Sequence, residues 1–224
     1  MADTQSRSLA GPAVLLFGPL ALSFDSTQLA KLRATVVGDS QLAWIPQTLG
    51  QLPRLWNNIT ATLPELEDDT GHVKLSNLAE FFTSEQHSEL NITYPLPNKL
   101  LIPLVVISHL TQYAAFIEQI NPEVDGRIDP FDGGILNGKE SLGFCTGLLS
   151  AFAVASAQNR KDFEKYGAVA IRLGMLVGMV VDAQGNTSPA KCLGVSWSSD
   201  KGTEELRRIL DEFTEVRHPP QPSF

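Results

Sequence analysis

Cysteine is scarce in this chain: Cys145 and Cys192 are the only two among 224 residues. That allows at most one disulfide and excludes a zinc-type Cys cluster, so no metal is expected and a reducing compartment is the default. Cations are also few, 17 Lys and Arg against 25 Asp and Glu for a net charge of -8. They are dispersed, and binding to phosphates needs them clustered, which argues against nucleic acid as a partner. The apolar run 98–120 is interrupted by Pro103, His109, Gln112 and Glu118, well short of a membrane span, and no membrane partner is expected. That stretch is expected to be a core helix. There is no internal repeat and no low-complexity tract. What is present is 43% hydrophobic residues and 19% charged, enough for one large domain, or a domain with a small appendage, to bury a substantial core.

Residues 9–24, LAGPAVLLFGPLALSF, could serve as the apolar core of a secretion signal, and sequons at Asn58, Asn91 and Asn186 would suit export. The segment before it holds only Asp3 and Arg7 and has no positive bias, and no small-x-small cleavage site follows cleanly. A first strand buried on both faces and a cytoplasmic location are the expectation.

Along the chain, residues 13–17 form a short apolar run closed by Gly18-Pro19, as a strand followed by a loop would be. Ser26 is placed to cap a helix with Leu29, Leu32 and Val36 on one face. Residues 40–60 repeat apolar side chains at helical spacing but are broken by Pro46 and Pro53, which predicts a broken hairpin or two short helices. Leu75, Leu78, Phe81 and Phe82 mark another helix face. Residues 121–140 are rich in Gly, Pro and Asp and predict a long loop, with a short strand near Ile135 and Leu136. A second apolar helix spans 161–181, where Gly174 and Gly178 allow a neighbour to approach closely. Leu193, Val195 and Trp197 alternate like a half-buried strand. Leu206, Ile209, Leu210, Phe213 and Val216 mark an amphipathic helix over 203–217, stopped by Pro219 and Pro220.

The densest information is Gly143-Phe144-Cys145-Thr146-Gly147. This is the form of a nucleophile elbow, G-x-S-x-G, with sulfur replacing oxygen. A nucleophile on a strained strand-to-helix turn brings the residues two before and two after it against neighbouring backbone, and glycine at both removes the collision. A thiol at a helix N-terminus gains from the positive end of the dipole, which favours the thiolate. The Thr146 N–H would face a developing oxyanion. Attack on a thioester or activated acyl group is the natural chemistry. The bland alternative is that Cys145 is a small buried hydrophobe in a tight helix start.

Arg172 is the only charged residue between Gly167 and Val181. Burying a lone guanidinium is expensive, so it must reach water, find an acceptor, or face the cleft near Cys145. A nucleophilic thiol usually needs a base, and the chain has four His: His72, His87, His109 and His218. His109, in an apolar helix, is the candidate base, with a satisfied core histidine as its ordinary alternative. Cys192 reads as structural.

The segment GFCTGLLSAFAVASA, followed by GAVAIRLG and then VSWSSD, resembles the starter-unit acyl-carrier-protein transacylase (SAT) domain of fungal non-reducing polyketide synthases. The opening LLFGPLALSFDSTQLAKL and the middle PLVVISHLTQYAAFIEQ are similar to the same family, so the likeness runs from about Val14 to Arg217. It implies an α/β fold: an acyltransferase-like large subdomain with a parallel sheet and helices on both faces, expected over 1–185, and a partial ferredoxin-like small subdomain over 186–224. It also implies a function in polyketide (secondary metabolite) biosynthesis, in which an acyl starter passes from a thioester to Cys145 and then to the phosphopantetheine thiol of a carrier protein. Arg172 matches the arginine one helix later and, with Phe144, is expected to bind substrate. The backbone N–H groups of Thr146 and Leu20 would form the oxyanion hole. No cofactor is implied.

Two departures from the family pattern stand out. The first strand usually ends Phe-Gly-Asp-Gln-Thr, whereas this chain has Phe17-Gly18-Pro19-Leu20-Ala21. The family's catalytic His lies in a further stretch with no counterpart before Phe224, so the chain is expected to be the N-terminal portion of a SAT domain. Three functions therefore compete: a SAT-like acyltransferase or thioesterase; a non-catalytic module binding a synthase or carrier protein, with Lys161, Lys165, Arg207 and Arg208 as a docking patch; and a pathway hydrolase or cyclase reusing the fold. A homo-oligomer is expected, because a partial small subdomain leaves the Leu193–Trp197 edge unpaired.

Overall fold

The computed structural model describes residues 14–19, 24–68, 70–84, 95–120, 140–184 and, singly, 204, 207 and 208. The chain divides into two units, Met1–Asn186 and Thr187–Phe224. In the second unit the described residues are Glu204, Arg207 and Arg208, all helical and exposed. The expected strands near Ile135 and at Leu193–Trp197, the remainder of the 203–217 helix, Leu20 and Cys192 lie outside the described residues.

The first unit is an α/β arrangement, mostly helical around a small parallel sheet. Its order is β1 (Val14–Phe17), α1 (Ser26–Gly38), α2 (Trp44–Leu49), α3 (Leu52–Thr62), α4 (Gly71–Thr83), α5 (Asn98–Ile120), β2 (Glu140–Gly143), α6 (Gly147–Ser156) and α7 (Arg160–Gln184), with short 3-10 turns at Ser40–Leu42 and Pro64–Leu66.

The core is built on α5. Val105, Val106 and Ile107 are consecutive and fully buried, so protein surrounds the middle of this helix, whereas Gln112 and Phe116 farther along reach the surface. That explains the unbroken apolar stretch Leu104–Ile107. α7 packs along it through glycine: a Cβ at Gly178 would collide with the Asn98 and Lys99 backbone, and one at Gly174 would sit 3.4 Å from the Pro103 nitrogen. The start of α5 is held by Asp182 near the end of α7. Its carboxylate accepts from the Asn98 N–H (2.9 Å), the Asn98 Nδ2 (2.9 Å) and the Lys99 N–H (3.1 Å). The Lys99 ammonium pairs with Asp68 and, at 3.7 Å, with Asp182, and lies 5.3 Å from the centre of the Trp56 ring. Burial lowers its pKa from the ordinary 10.5, while Asp182 pulls it back up.

The remaining helices follow local rules. Asp25, one residue before the expected cap, closes α1 with a reciprocal box: its carboxylate accepts from the Gln28 N–H at 2.7 Å and the Gln28 side chain accepts from the Asp25 N–H at 3.1 Å. Ser26 is already helical. Pro53 stands in the first turn of α3, where its missing N–H costs no helical hydrogen bond. Arg33 of α1 reaches across to the end of α4 and donates to the Phe81 and Ser84 carbonyls.

β1 and β2 run parallel, with Val14 opposite Glu140 and Phe17 opposite Gly143. Phe17 is buried and Ser141 donates to the Ala151 carbonyl at 3.0 Å, which marks the face covered by helices. On the other face Val14, Leu16 and Leu142 are exposed. The expectation of a first strand buried on both sides is thus corrected: among the described residues, helices cover one face of the sheet. Two helices, Asn98–Gln119 and Arg160–Gln184, are long and apolar enough to cross a membrane by length and composition; 72% of the most apolar window of the first lies buried inside the protein.

Candidate active site

β2 ends at Gly143 and α6 begins at Gly147, so Phe144, Cys145 and Thr146 must reverse the chain. Cys145 does this at φ 56°, the one non-glycine residue with positive φ among those described. This backbone conformation is strained for an L-residue, by about 1–3 kcal/mol. The sulfur-bearing residue stands exposed at the tip. Both flanking glycines are sterically required. A Cβ at Gly143 would collide with the Leu148 backbone and the Gly147 carbonyl, and one at Gly147 with the carbonyls of Phe17 and Gly18. β1, β2 and α6 therefore meet without space for a methyl group.

Hydrogen bonds lock the turn. The Phe144 N–H donates to the Phe17 carbonyl at 3.0 Å, extending the ladder by one rung; the Gly147 N–H donates to Phe144 and the Leu148 N–H to Cys145, each at 3.0 Å. Among the described residues, the N–H groups of Cys145 and Thr146 have no backbone acceptor. The Thr146 N–H is thereby available to an incoming oxygen beside the start of α6. The Thr146 hydroxyl is buried and without a partner among the described residues.

α6 turns its small residues inward: Gly147, Ser150, Ala151, Ala153 and Val154 are buried. Its large residues face out. Phe144, Leu148 and Phe152, four apart, are 68%, 58% and 72% exposed and form a stripe that begins next to Cys145. The stretch Leu148–Ala157 is apolar nearly all round, as expected of a helix packed under a sheet, yet its small residues face in while Leu148 and Phe152 face out.

His109 sits in the middle of α5. Its Nδ1 lies 3.1 Å from the Ser150 Oγ, and the Phe17 ring meets the imidazole edge-on at 5.8 Å between centroids. Burial lowers the His109 pKa from the ordinary 6.5, favouring the neutral ring. Among the described residues no hydrogen bond joins His109 to Cys145. A groove of about 170 Å³ runs between β1 and α5, lined by Leu15, Leu16, Phe17, His109, Gln112, Tyr113 and Phe116. Burial also raises the Tyr113 pKa. The Arg172 guanidinium donates from Nη2 to Gln51 Oε1 at 2.6 Å, at the junction of α2 and α3. It finds its acceptor there, and no hydrogen bond ties it to the Cys145 turn among the described residues. Spacing alone does not mark out Ser150, whose signal is a hydroxyl in the interior of an apolar helix.

Residues 52–223 match the family described as starter unit:ACP transacylase in aflatoxin biosynthesis. The chain belongs to this transacylase family. Among its relatives are non-reducing polyketide synthase dbaI of Emericella nidulans, 46% identical over 217 residues, non-reducing polyketide synthase pigA of Monascus ruber, 41% identical over 215, and 3-methylorcinaldehyde synthase of Phoma sp, 42% identical over 207. These alignments cover 96%, 94% and 91% of this chain and 8% of each relative. The chain thus spans a small fraction of the synthases it matches. Within the transacylase match lie the elbow, α6, α7 and His109; β1, whose Phe17 carbonyl anchors the elbow, precedes it.

Proposed function

We propose that this chain catalyses starter-unit acyl transfer in fungal polyketide biosynthesis, with Cys145 as the nucleophile. The Cys145 thiolate attacks the carbonyl carbon of an acyl thioester. The developing oxyanion is met by the Thr146 N–H, the carbonyl re-forms, and the bond to the departing sulfur breaks, releasing that thiol once protonated. The acyl group then passes to the phosphopantetheine thiol of an acyl carrier protein by the same steps in reverse, and Cys145 is regenerated. Leu20 supplies the second N–H of the oxyanion hole in this reading, and Phe144 and Arg172 border the substrate.

The observation that carries the reading is the exposed Cys145 at positive φ between two glycines that admit no side chain. A strained backbone at an exposed sulfur between two glycines is the geometry that a nucleophile elbow requires. Family membership supplies the substrate class and the carrier protein as partner.

Incubated with an acyl thioester, the full chain gains the mass of one acyl group on the peptide that contains Cys145, and Cys145→Ala gains none. If wild-type protein stays unmodified over the whole pH range in which it is folded, the reading is wrong.

A further inference from the structure

We infer that His109 is a positioning residue for Cys145, a single imidazole that ties together the two elements flanking the nucleophile turn, β1 through Phe17 and α6 through Ser150. The inference rests on Cys145 as the nucleophile.

Four observations carry it. Ser150 is fully buried one turn beyond the start of α6, and its hydroxyl faces His109 Nδ1 at 3.1 Å. A buried hydroxyl left unpaired is costly, so the bond resists any rotation of α6 about its axis. Phe17, edge-on to the same imidazole, is the residue whose carbonyl accepts the Phe144 N–H. Gly143 and Gly147 close the remaining slack, because α6 already touches the β1 carbonyls and β2 touches α6 at backbone distance. Finally, the α5 turns around His109 are anchored in the core by Val105, Val106, Leu110 and Tyr113, all buried, and so provide a fixed base for the imidazole. A small displacement of α6 is therefore transmitted to the φ of Cys145 and to the direction of the Thr146 N–H. Misplacement of reacting groups by an ångström is enough to cost rate by one to two orders of magnitude.

The test uses four variants in the full chain with Cys192 replaced by Ser: His109→Leu, which removes the polar contact; His109→Asn, which keeps a hydrogen-bonding atom near the Nδ1 position; Ser150→Ala; and the Leu–Ala double variant. Two readouts are taken across pH: single-turnover acylation of Cys145 by an acyl thioester, and alkylation of Cys145 by iodoacetamide. His109→Leu and Ser150→Ala are each expected to lower acylation about tenfold with an unchanged pH midpoint. The double variant should be no slower than His109→Leu alone, since Ser150→Ala removes only the hydrogen bond that His109→Leu also removes, and His109→Asn should recover the part of the rate owed to that bond. Additive losses, wild-type rates in Ser150→Ala, or a shifted pH midpoint in His109→Leu would overturn the inference; the last would make His109 the base. Thermal melting identifies any variant that fails to fold, and Ser150→Ala with His109→Asn then decides alone. If wild-type protein is not acylated, the proposed function fails, but the alkylation rates still test the positioning: unchanged rates in all four variants reject it.

Discussion

Cys145 and His109 show what one side chain can and cannot reveal in sequence. The elbow is legible because its requirement is local: Gly143 and Gly147 are two residues either side of Cys145, and the clash each avoids involves its own turn or the strand beside it. The His109–Ser150 bond was not, since it joins residues 41 apart in sequence, and each alone resembles an ordinary polar residue in a core helix. Nor did sequence direct Arg172 to Gln51; it fixed only the need for an acceptor. Because burial lowers the His109 pKa, the unfolded chain takes up a proton near pH 6.5 while the folded protein still resists it. Stability should therefore be fully present above that pH and decline as pH falls from it toward the lower folded value. His109→Asn should flatten this part of the profile, as measured by urea unfolding at a series of pH values. An unchanged slope would mean that another group is responsible.

Among the elements, long helices were read with most success. α5 and α7 follow from sustained apolar runs and from Gly174 and Gly178, whose bare backbones meet Pro103 and the start of α5. Errors came at ends and faces. The α1 cap moved from Ser26 to Asp25 because the aspartate can enter a reciprocal pair with Gln28, a choice between adjacent good caps that spacing does not settle. The burial of β1 was overestimated because an apolar strand looks the same whether one or both faces are covered. The α5–α7 pair depends on Asp182, which satisfies two orphan N–H groups at the start of α5 and faces the buried Lys99. Asp182→Ala should lower unfolding free energy by about 2 kcal/mol, through two helix N–H groups left without an acceptor while Asp68 still pairs Lys99, measured by denaturant titration. Asp182→Asn, which keeps an acceptor, should lose less. Gly178→Leu should be more damaging than either, because its side chain would have to occupy the Asn98–Lys99 backbone.

On the scale of the molecule, the sheet face bearing Val14, Leu16 and Leu142 and the stripe of Phe144, Leu148 and Phe152 are apolar and open to solvent. Monomeric proteins rarely leave contiguous apolar surface of this kind uncovered. The Leu193–Trp197 edge, from which self-association is expected, lies outside the described residues. Purified chain should bind a fluorescent hydrophobic dye and sediment above its monomer mass of 24.4 kDa, and Phe152→Glu should reduce both signals without lowering the melting temperature. Wild-type behaviour as a dye-free monomer would remove the expectation. The exposed turn has one more consequence, for anyone handling the protein. A sulfur left in the open on such a bend meets peroxide as readily as it meets an ester, and air ageing carries it to sulfenic and then sulfinic acid, the latter beyond rescue by ordinary reductants. The share of a preparation whose Cys145 still carries a free thiol will decline with storage time, and freshness will matter as much as purity.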